Sequence, residues 1–386
     1  MSDIIIAGIG QTPVGEHWGL SLRDLAREAI WAARSDSGGL QPQAMFVGNV
    51  LAPTVSAQAH VGALVADHAG MAGIEASTVE AGGSSGGAAI RQAYLALMAG
   101  VIDCAIVVGV EKFSDQTGGS ADQSVASSLD GDFEAVQGLT PTAQAALLMR
   151  RYMYEYDVPR SDFSAFPIIA HKNGEGNPNA LFRKAIDQET YQQAEIVSEP
   201  LNLFDIAPTA DGAAALILTR LEHLPPNFPH PVVRISGSSI VSDTLAIHDR
   251  REPIYFQSVH SSIERACRQA GILPTDVDIF ELYEAYTIYA ALTLEAAGFA
   301  SPGKGCQLAI SGQLNLQGTL PICIMGGLKA RGNPGGATGV YQVVEATLQL
   351  RGQAGENQIS PARRALIQCL GGPAALAVTH VLETVK

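Results

Sequence analysis

Short apolar runs alternate with amphipathic helical patterns along most of the chain. The runs Ile4–Ile6, Phe46–Val50 and Cys104–Val108 are bounded by glycine, proline or charged residues, which is typical of buried strands in a parallel sheet. Between the first two runs, Ser21–Arg34 has the pattern of a helix that Ser21 caps. The predicted buried face of this helix consists of Leu22, Leu25, Ala26 and Ala29. The alternation predicts an α/β fold built in layers.

Two sequence echoes indicate an internal duplication. The segment DGAAALILT at 211–219 is similar to GGPAALAVT at 371–379, and GGAAIRQAYLALMAG at 86–100 is similar to GGATGVYQVVEATLQL at 335–350. Both echoes occur in the same order in each half, although segments rich in alanine and glycine also match by chance. The spacing favours two related α/β halves over a solenoid, whose repeats would be shorter.

The segment 114–200 interrupts the alternation. It is richer in Gly, Ser, Asp and Gln, and it predicts helices around Thr142–Tyr156 and Ser161–Lys172. We interpret it as an insertion over one face, where ligand sites commonly lie. The proline-rich stretch 225–231 predicts a stiff linker between the halves. The predicted domains are therefore an N-terminal half (1–113 with 201–224), a loop domain (114–200) and a C-terminal half (225–386).

Composition and charge exclude several classes of function. The chain has 386 residues, 47% of them apolar and 16% charged, and without an apolar stretch of about 18 residues we expect no membrane span. The formal net charge of −14 argues against nucleic-acid binding but permits an anionic ligand held by local basic residues. Five widely spaced cysteines without a CxxC motif predict neither a disulfide framework nor a metal site, and they favour a cytoplasmic location.

Several strings resemble one family in order and in spacing. They are IIIAGIGQTPVGEH with SLRDLA, VEAGGSSGGAAI, VVGVEKFSD, RRYMYEYDVPRSDF, NPNALFR, PLNLFDIAPTADGAAA, GGLKARGNPGGATG and CLGGPAALAV. Over essentially its whole length the chain resembles thiolases of the lipid-transfer (sterol-carrier-protein) type. The resemblance implies the thiolase fold, with two duplicated βαβαβ-type halves in five layers and an inserted loop domain that holds coenzyme A. It also implies a homodimer or dimer of dimers that acts on an acyl-CoA thioester without a covalently bound cofactor.

The resemblance places reacting groups at four positions, and three of them differ in this chain. Gly83 stands where the family has its nucleophilic cysteine, and Tyr283 stands where it has a histidine or asparagine that holds an oxyanion. Asn333 replaces the histidine of the Gly-His-Pro motif, and it cannot take a proton near neutral pH. Cys369 matches an acid/base cysteine of many thiolases. Ordinary chemistry through an acyl-cysteine is therefore not expected.

Six further residues are candidates for binding the substrate or coenzyme A: Ser84, Glu284, Cys323, Gly371, Gly372 and Arg183. Ser84 precedes a predicted helix, where a serine is more typical of a cap than of a nucleophile. Arg183 is a candidate for contact with CoA phosphates. Tyr283 and Tyr286, three residues apart, are also compatible with an aromatic core on one helical face.

Three functions remain open from the sequence. A side branch of the family cleaves β-hydroxyacyl-CoA by a retro-aldol reaction in steroid side-chain degradation, and its glycines at the cysteine position and its Leu-Tyr-Asp string resemble Gly83 and Leu282-Tyr283-Glu284. In that reaction Tyr283 is the candidate base or proton relay, while Asn333 and the amides near Gly371 and Gly372 are candidate donors to the enolate. The alternatives are an inactive CoA-binding subunit and an acyltransferase that uses Cys369, Cys323 or Ser84.

The resemblance also implies a small partner protein with an OB-fold and zinc ribbon.

Overall fold

A computed structural model describes residues 3–116 and 124–385. The strands are β1 (Ile4–Gln11), β2 (Ala44–Gly48), β3 (Glu75–Val79), β4 (Cys104–Glu111), β5 (Ile196–Ser198), β6 (Leu201–Asn202), β7 (Gly212–Arg220), β8 (Val233–Ser242), β9 (Ile279–Glu281), β10 (Arg364–Gly371) and β11 (Leu376–Thr384). The helices are α1 (Leu22–Asp36), α2 (Ala52–Val55), α3 (Val61–His68), α4 (Ser85–Met98), α5 (Pro141–Tyr156), α6 (Ala165–Gly174), α7 (Gln188–Gln193), α8 (Gln257–Ala270), α9 (Thr287–Ala296), α10 (Gly305–Ile310) and α11 (Thr338–Arg351).

The strand order repeats between the two halves of the chain. In the part of the chain that the structure describes, nine strands form one sheet in the order β3-β2-β4-β7-β1-β8-β11-β10-β9, and the pair Ile5–Arg234 joins β1 to β8. A parallel bridge between Phe280 and Ile322 continues the second half beyond β9, at the place that β3 occupies in the first. Strands β7 and β11 and helices α4 and α11, which carry the two sequence echoes, hold equivalent places. The predicted duplicated α/β fold is confirmed.

Helices α4 and α11 form the central layer between the two parts of the sheet. Each contacts strands of both halves, whereas α1 covers β1 and β7 and α8 covers β8 and β11 from outside. A Cβ atom on Gly86 would lie 2.8 Å from the carbonyl oxygen of Gly336, and one on Gly339 would lie 2.5 Å from the amide nitrogen of Gly87. Glycine at these positions therefore lets the two helices approach backbone to backbone at their N-terminal ends.

The first predicted elements agree closely with the structure. Ser21 is the N-cap of α1 and forms a capping box with Asp24, and all four residues of the predicted apolar face are buried. The three predicted strands are β1, β2 and β4, although Val50 lies beyond the end of β2. A serine N-cap typically stabilises a helix by about 1 kcal/mol.

The segment between β4 and β7 contains α5, α6, α7 and the β5–β6 hairpin. The predicted helix around Thr142–Tyr156 is confirmed as α5. The one predicted over Ser161–Lys172 is divided into a 3₁₀ turn, Arg160–Ser164, and α6. Side chains of α5 and α6 share a core with α9, so the segment packs over the second half of the sheet. The domain boundaries stay predictions.

All five cysteines are free and buried. Among residues 3–116 and 124–385, none of the helices combines the length and the hydropathy that a membrane span requires.

Candidate active site

A cavity of about 550 Å³ opens where the N-terminal end of α4 meets the loop segment and the connection from β9 to α9. Its described lining comes from both halves and from the segment between them: Val50, Leu51, Gly83, Phe113, Val125, Ser128, Leu129, Thr140, Pro141, Thr142, Gln144, Val197, Ser198, Ile206, Ala207, Pro208, Thr209, Tyr283, Ala285, Tyr286, Tyr289, Asn333, Gly335, Gly372 and Pro373. None of these residues has a charged side chain, and three tyrosines are the only titratable ones. The site therefore offers neutral hydrogen-bonding groups on a largely apolar surface.

Gly83 and Tyr283 occupy complementary space. Gly83 lies in the turn before α4, and a Cβ atom built on it would overlap the Tyr283 hydroxyl and lie 2.8 Å from the carbonyl oxygen of Leu370. Real Cβ atoms are almost never found so close to other heavy atoms. The phenol of Tyr283 thus fills the position from which a side chain at residue 83 would project into the cavity.

Asn333 is a polar neighbour of the Tyr283 hydroxyl. The Asn333 Oδ1 accepts from Thr338 Oγ1 at 3.0 Å. Since one side of the amide is an acceptor for Thr338, its NH₂ group is the part that faces Tyr283. Burial raises the pKa of Tyr283 well above its ordinary value. At neutral pH this residue is therefore a protonated phenol.

Cys369 and Cys323 lie behind the cavity wall, and neither belongs to the described lining. The Cys369 thiol donates to Gln342 Oε1 at 3.0 Å, and burial raises its pKa to about 12. Burial and the nearby Glu284 carboxyl raise the pKa of the Cys323 thiol, and Glu284 Oε1 accepts from the Lys329 amide at 3.2 Å. Both thiols are therefore held in their protonated, weakly nucleophilic form.

The remaining predicted binding residues are divided between the cavity and other places. Gly372 lines the cavity, while Gly371 lies just behind it, against Ser84. Ser84 occupies the predicted N-cap position of α4, but its hydroxyl donates to the Ala81 carbonyl at 2.6 Å and makes no cap hydrogen bond. Arg183 is exposed and lies outside the lining. Of the ten predicted residues, Gly83, Tyr283, Asn333 and Gly372 are thus brought together on the cavity surface.

The interpretation of Tyr283 and Tyr286 as one face of a helix is wrong. Helix α9 begins only at Thr287, and Tyr286 before it has an extended backbone. The Tyr286 hydroxyl is 3.2 Å from Thr142 Oγ1, and its ring packs edge-on against that of Tyr289 at a centroid distance of 5.1 Å. The spacing 283, 286 and 289 therefore produces a row of tyrosines along the cavity wall.

Sequence reasoning missed Glu111, a buried carboxylate behind the cavity. Its oxygens accept four N–H groups, from Asn49 Nδ2 (2.9 Å) and the amides of Leu51 (3.0 Å), Val50 (3.1 Å) and Gly336 (3.1 Å). Burial raises the pKa of Glu111 to about 7, against the opposing effect of these donors. Glu111 joins a loop of the first half to the turn before α11. A charged residue at the end of the apolar run VVGVE was the available signal.

We expect Gly83→Ala to perturb the site more than the size of one methyl group suggests. The new Cβ must displace the Tyr283 hydroxyl and still meets the backbone of Leu370, which cannot swing away. Overpacking of this kind costs about 1–3 kcal/mol, measurable as a lower midpoint of urea unfolding. Gly131→Ala is the matched control, because a Cβ there meets no atom within 4 Å. Equal midpoints for the two variants would contradict the packing described above.

Two related α/β halves, with a cavity at the start of their paired central helices, define the thiolase fold. Comparisons with known proteins agree. The model of the thiolase N-terminal domain matches residues 4–222, and that of the thiolase C-terminal domain-like family matches residues 239–384. The chain therefore belongs to the thiolase superfamily.

Individual relatives carry different names. The chain is 36% identical to an acetyl-CoA acetyltransferase of Methanothermobacter thermautotrophicus, covering 99% of this chain and 100% of the relative. It is 29% identical to the 17-hydroxy-3-oxo-4-pregnene-20-carboxyl-CoA lyase of Mycobacterium tuberculosis (90% and 91%), and 27% identical to sterol carrier protein 2 of Gallus gallus (97% and 71%). Among solved structures, the Ltp2-ChsH2(DUF35) aldolase matches with a TM-score of 0.85 at 25% identity, over 99% of this chain and 98% of that one. The protein is a thiolase-superfamily protein of the sterol-carrier-protein type.

Proposed function

We propose that this protein cleaves the carbon–carbon bond of a β-hydroxyacyl-CoA by a retro-aldol reaction, without an acyl-enzyme. One observation carries the proposal: the Tyr283 phenol occupies the space into which a nucleophile at residue 83 would project. The cysteines also lie outside the described cavity lining. A site with a buried phenol and amide, but with no accessible thiol, suits proton transfer and enolate stabilisation better than acyl transfer.

The raised pKa of Tyr283 favours a proton relay over a free tyrosinate base. In the reaction the phenol oxygen accepts the proton of the β-hydroxyl while the phenol's own proton passes towards the α-carbon. The bond between the α- and β-carbons breaks, its electron pair enters the thioester as an enolate, and the β-carbon becomes a carbonyl. Protonation of the α-carbon completes a shorter acyl-CoA. The proton count balances, and Tyr283 is again a protonated phenol at the end of the reaction.

Asn333 and the backbone around Gly372 are the proposed donors for the thioester oxygen. Both the side chain and the backbone of Asn333 are held in place. Its Oδ1 accepts from Thr338, and its backbone N–H donates to the Pro208 carbonyl at 2.9 Å. An amide held in this way needs no reorganisation as negative charge develops on the substrate. Gly372, with a positive φ of 58°, turns the chain at the cavity surface.

Two measurements test the proposal. Intact-protein mass spectrometry after incubation with acetyl-CoA and acetoacetyl-CoA should show no acyl adduct. A panel of 3-hydroxyacyl-CoA thioesters should yield an aldehyde or ketone and a shorter acyl-CoA in equal amounts. An adduct mapped to Cys369, Cys323 or Ser84 would overturn the proposal in favour of acyl transfer, the activity that the name of the 36% identical relative suggests.

An inactive CoA-binding subunit is the second candidate. It is favoured by the absence of any charged side chain from the described cavity lining, which leaves no conventional general base there. Binding of CoA esters without turnover of any member of the panel would support this candidate.

We also propose assembly with a second copy and with a small partner protein. Strand β3 lies at the end of the sheet with four of its five side chains exposed, which leaves an edge open to another strand. The name of the aldolase structure joins Ltp2 to ChsH2(DUF35), in keeping with a separate partner of the OB-fold and zinc-ribbon kind. Co-purification and light scattering test both associations.

A further inference from the structure

Gln144 on α5 lines the cavity with an amide whose orientation is fixed. Its Nε2 donates to Glu134 Oε1 at 2.9 Å, and the same oxygen accepts from the Ile247 amide at 3.0 Å. Because a carboxylate only accepts, the nitrogen of Gln144 must face Glu134. The Gln144 Oε1 is then buried and finds no donor among the described residues. A buried acceptor left in this state destabilises the protein until a donor reaches it.

Tyr289, at the end of the tyrosine row, lines the same cavity as Gln144. Its ring packs against Tyr286 and, at 5.7 Å, against Phe256. Its electrostatic neighbours are Tyr286, Tyr283, Arg250 and Glu134. In the described part of the chain no hydrogen bond of the Tyr289 hydroxyl is found. Gln144 and Tyr289 thus add polar groups to the cavity lining besides Tyr283 and Asn333.

We propose that Gln144 and Tyr289 bind a hydroxyl group carried by the acyl part of the substrate, at a distance from its reacting carbons. A hydroxyl can donate to the Gln144 Oε1 and accept from the Tyr289 phenol at the same time. A ketone would leave the Gln144 oxygen without a donor, and a carboxylate would place negative charge against it. The substrate class is therefore a hydroxylated acyl-CoA. This inference rests on the proposed function in that the cavity holds the acyl group.

The test compares the dissociation constants of matched CoA thioesters by calorimetry. The probes are ω-hydroxyacyl-CoA, the unsubstituted acyl-CoA and the ω-carboxyacyl-CoA, each with acyl chains of 4 to 10 carbons. At one chain length we expect the hydroxylated ester to bind roughly tenfold more tightly than the unsubstituted one, as one buried hydrogen-bonded group implies. Tyr289→Phe removes one oxygen atom, and Gln144→Met removes the amide; each should abolish the preference.

Gln137→Met is the matched control, since Gln137 is an exposed residue of the same segment and lies outside the cavity lining. It should keep the wild-type preference. The inference is overturned if no chain length shows a preference, or if the preference persists in both Tyr289→Phe and Gln144→Met. Failure of every CoA ester to bind would instead contradict the proposed function, so the two failures are distinguishable.

Discussion

Replacing Tyr283 by phenylalanine should lower the turnover of a β-hydroxyacyl-CoA by roughly 10²–10⁴-fold, the usual contribution of a positioned proton-transfer group. The change removes one oxygen atom and leaves the ring that packs beside Gly83 in place. Binding of the CoA ester should change little, because the lost hydroxyl acts on the proton that is transferred during the reaction. Steady-state kinetics should therefore show the effect in kcat and much less in KM.

Tyr154→Phe is the control for this variant. Tyr154 lies on α5 with 84% of its surface exposed, so the same atomic change there should leave kcat and KM at their wild-type values. If Tyr283→Phe retained full turnover, the proposed relay would be wrong and another group would have to carry the proton. An unchanged melting temperature separates this effect from loss of the fold.

Glu111→Gln should destabilise the protein by about 2–4 kcal/mol, although it changes only one atom of the side chain. Each carboxylate oxygen accepts two N–H donors. The amide of the variant would point its own N–H groups at one of these pairs. Two buried donors would then lose their acceptor, and the loop at Val50 and Leu51 would separate from the turn at Gly336. Urea unfolding measures the loss directly.

Glu155→Gln provides the comparison for Glu111→Gln. Glu155 forms an exposed ion pair with Arg151 on α5 at 2.9 Å, and exposed pairs contribute about 1 kcal/mol or less. A Glu111 variant as stable as this control would show that water replaces the lost contacts. Because Val50 and Leu51 line the cavity, we also expect Glu111→Gln to weaken substrate binding.

Local patterns predicted much of the fold. The capping box of α1 and the apolar runs of β1 and β4 depend on neighbouring residues, and the sequence contains all of that information. The duplication was also visible, because equivalent elements in the two halves have to pack alike around the central helices. The interpretation that Tyr283 and Tyr286 lie on one face of a helix was wrong, because tertiary contacts, and not the three-residue spacing of the tyrosines, determine where α9 begins.

The site was predictable only where a family resemblance pointed to it. Gly83, Tyr283 and Asn333 meet at one cavity, but their mutual packing depends on distances that no pattern encodes. Gln144 and Glu134 are ordinary polar residues in the sequence. Their hydrogen bond, and the acceptor that it leaves without a partner, exist only after the loop segment has folded over the second half.

The mutual exclusion of a side chain at 83 and the phenol at 283 also constrains how this lineage can evolve. A cysteine introduced at 83 while 283 is still tyrosine meets both the hydroxyl and the rigid carbonyl of Leu370. A nucleophile at position 83 therefore needs both a smaller residue at position 283 and a shift of the Leu370 backbone. Acyl transfer through residue 83 would thus need at least two substitutions and a backbone adjustment, and a substitution at 283 alone would already remove the phenol.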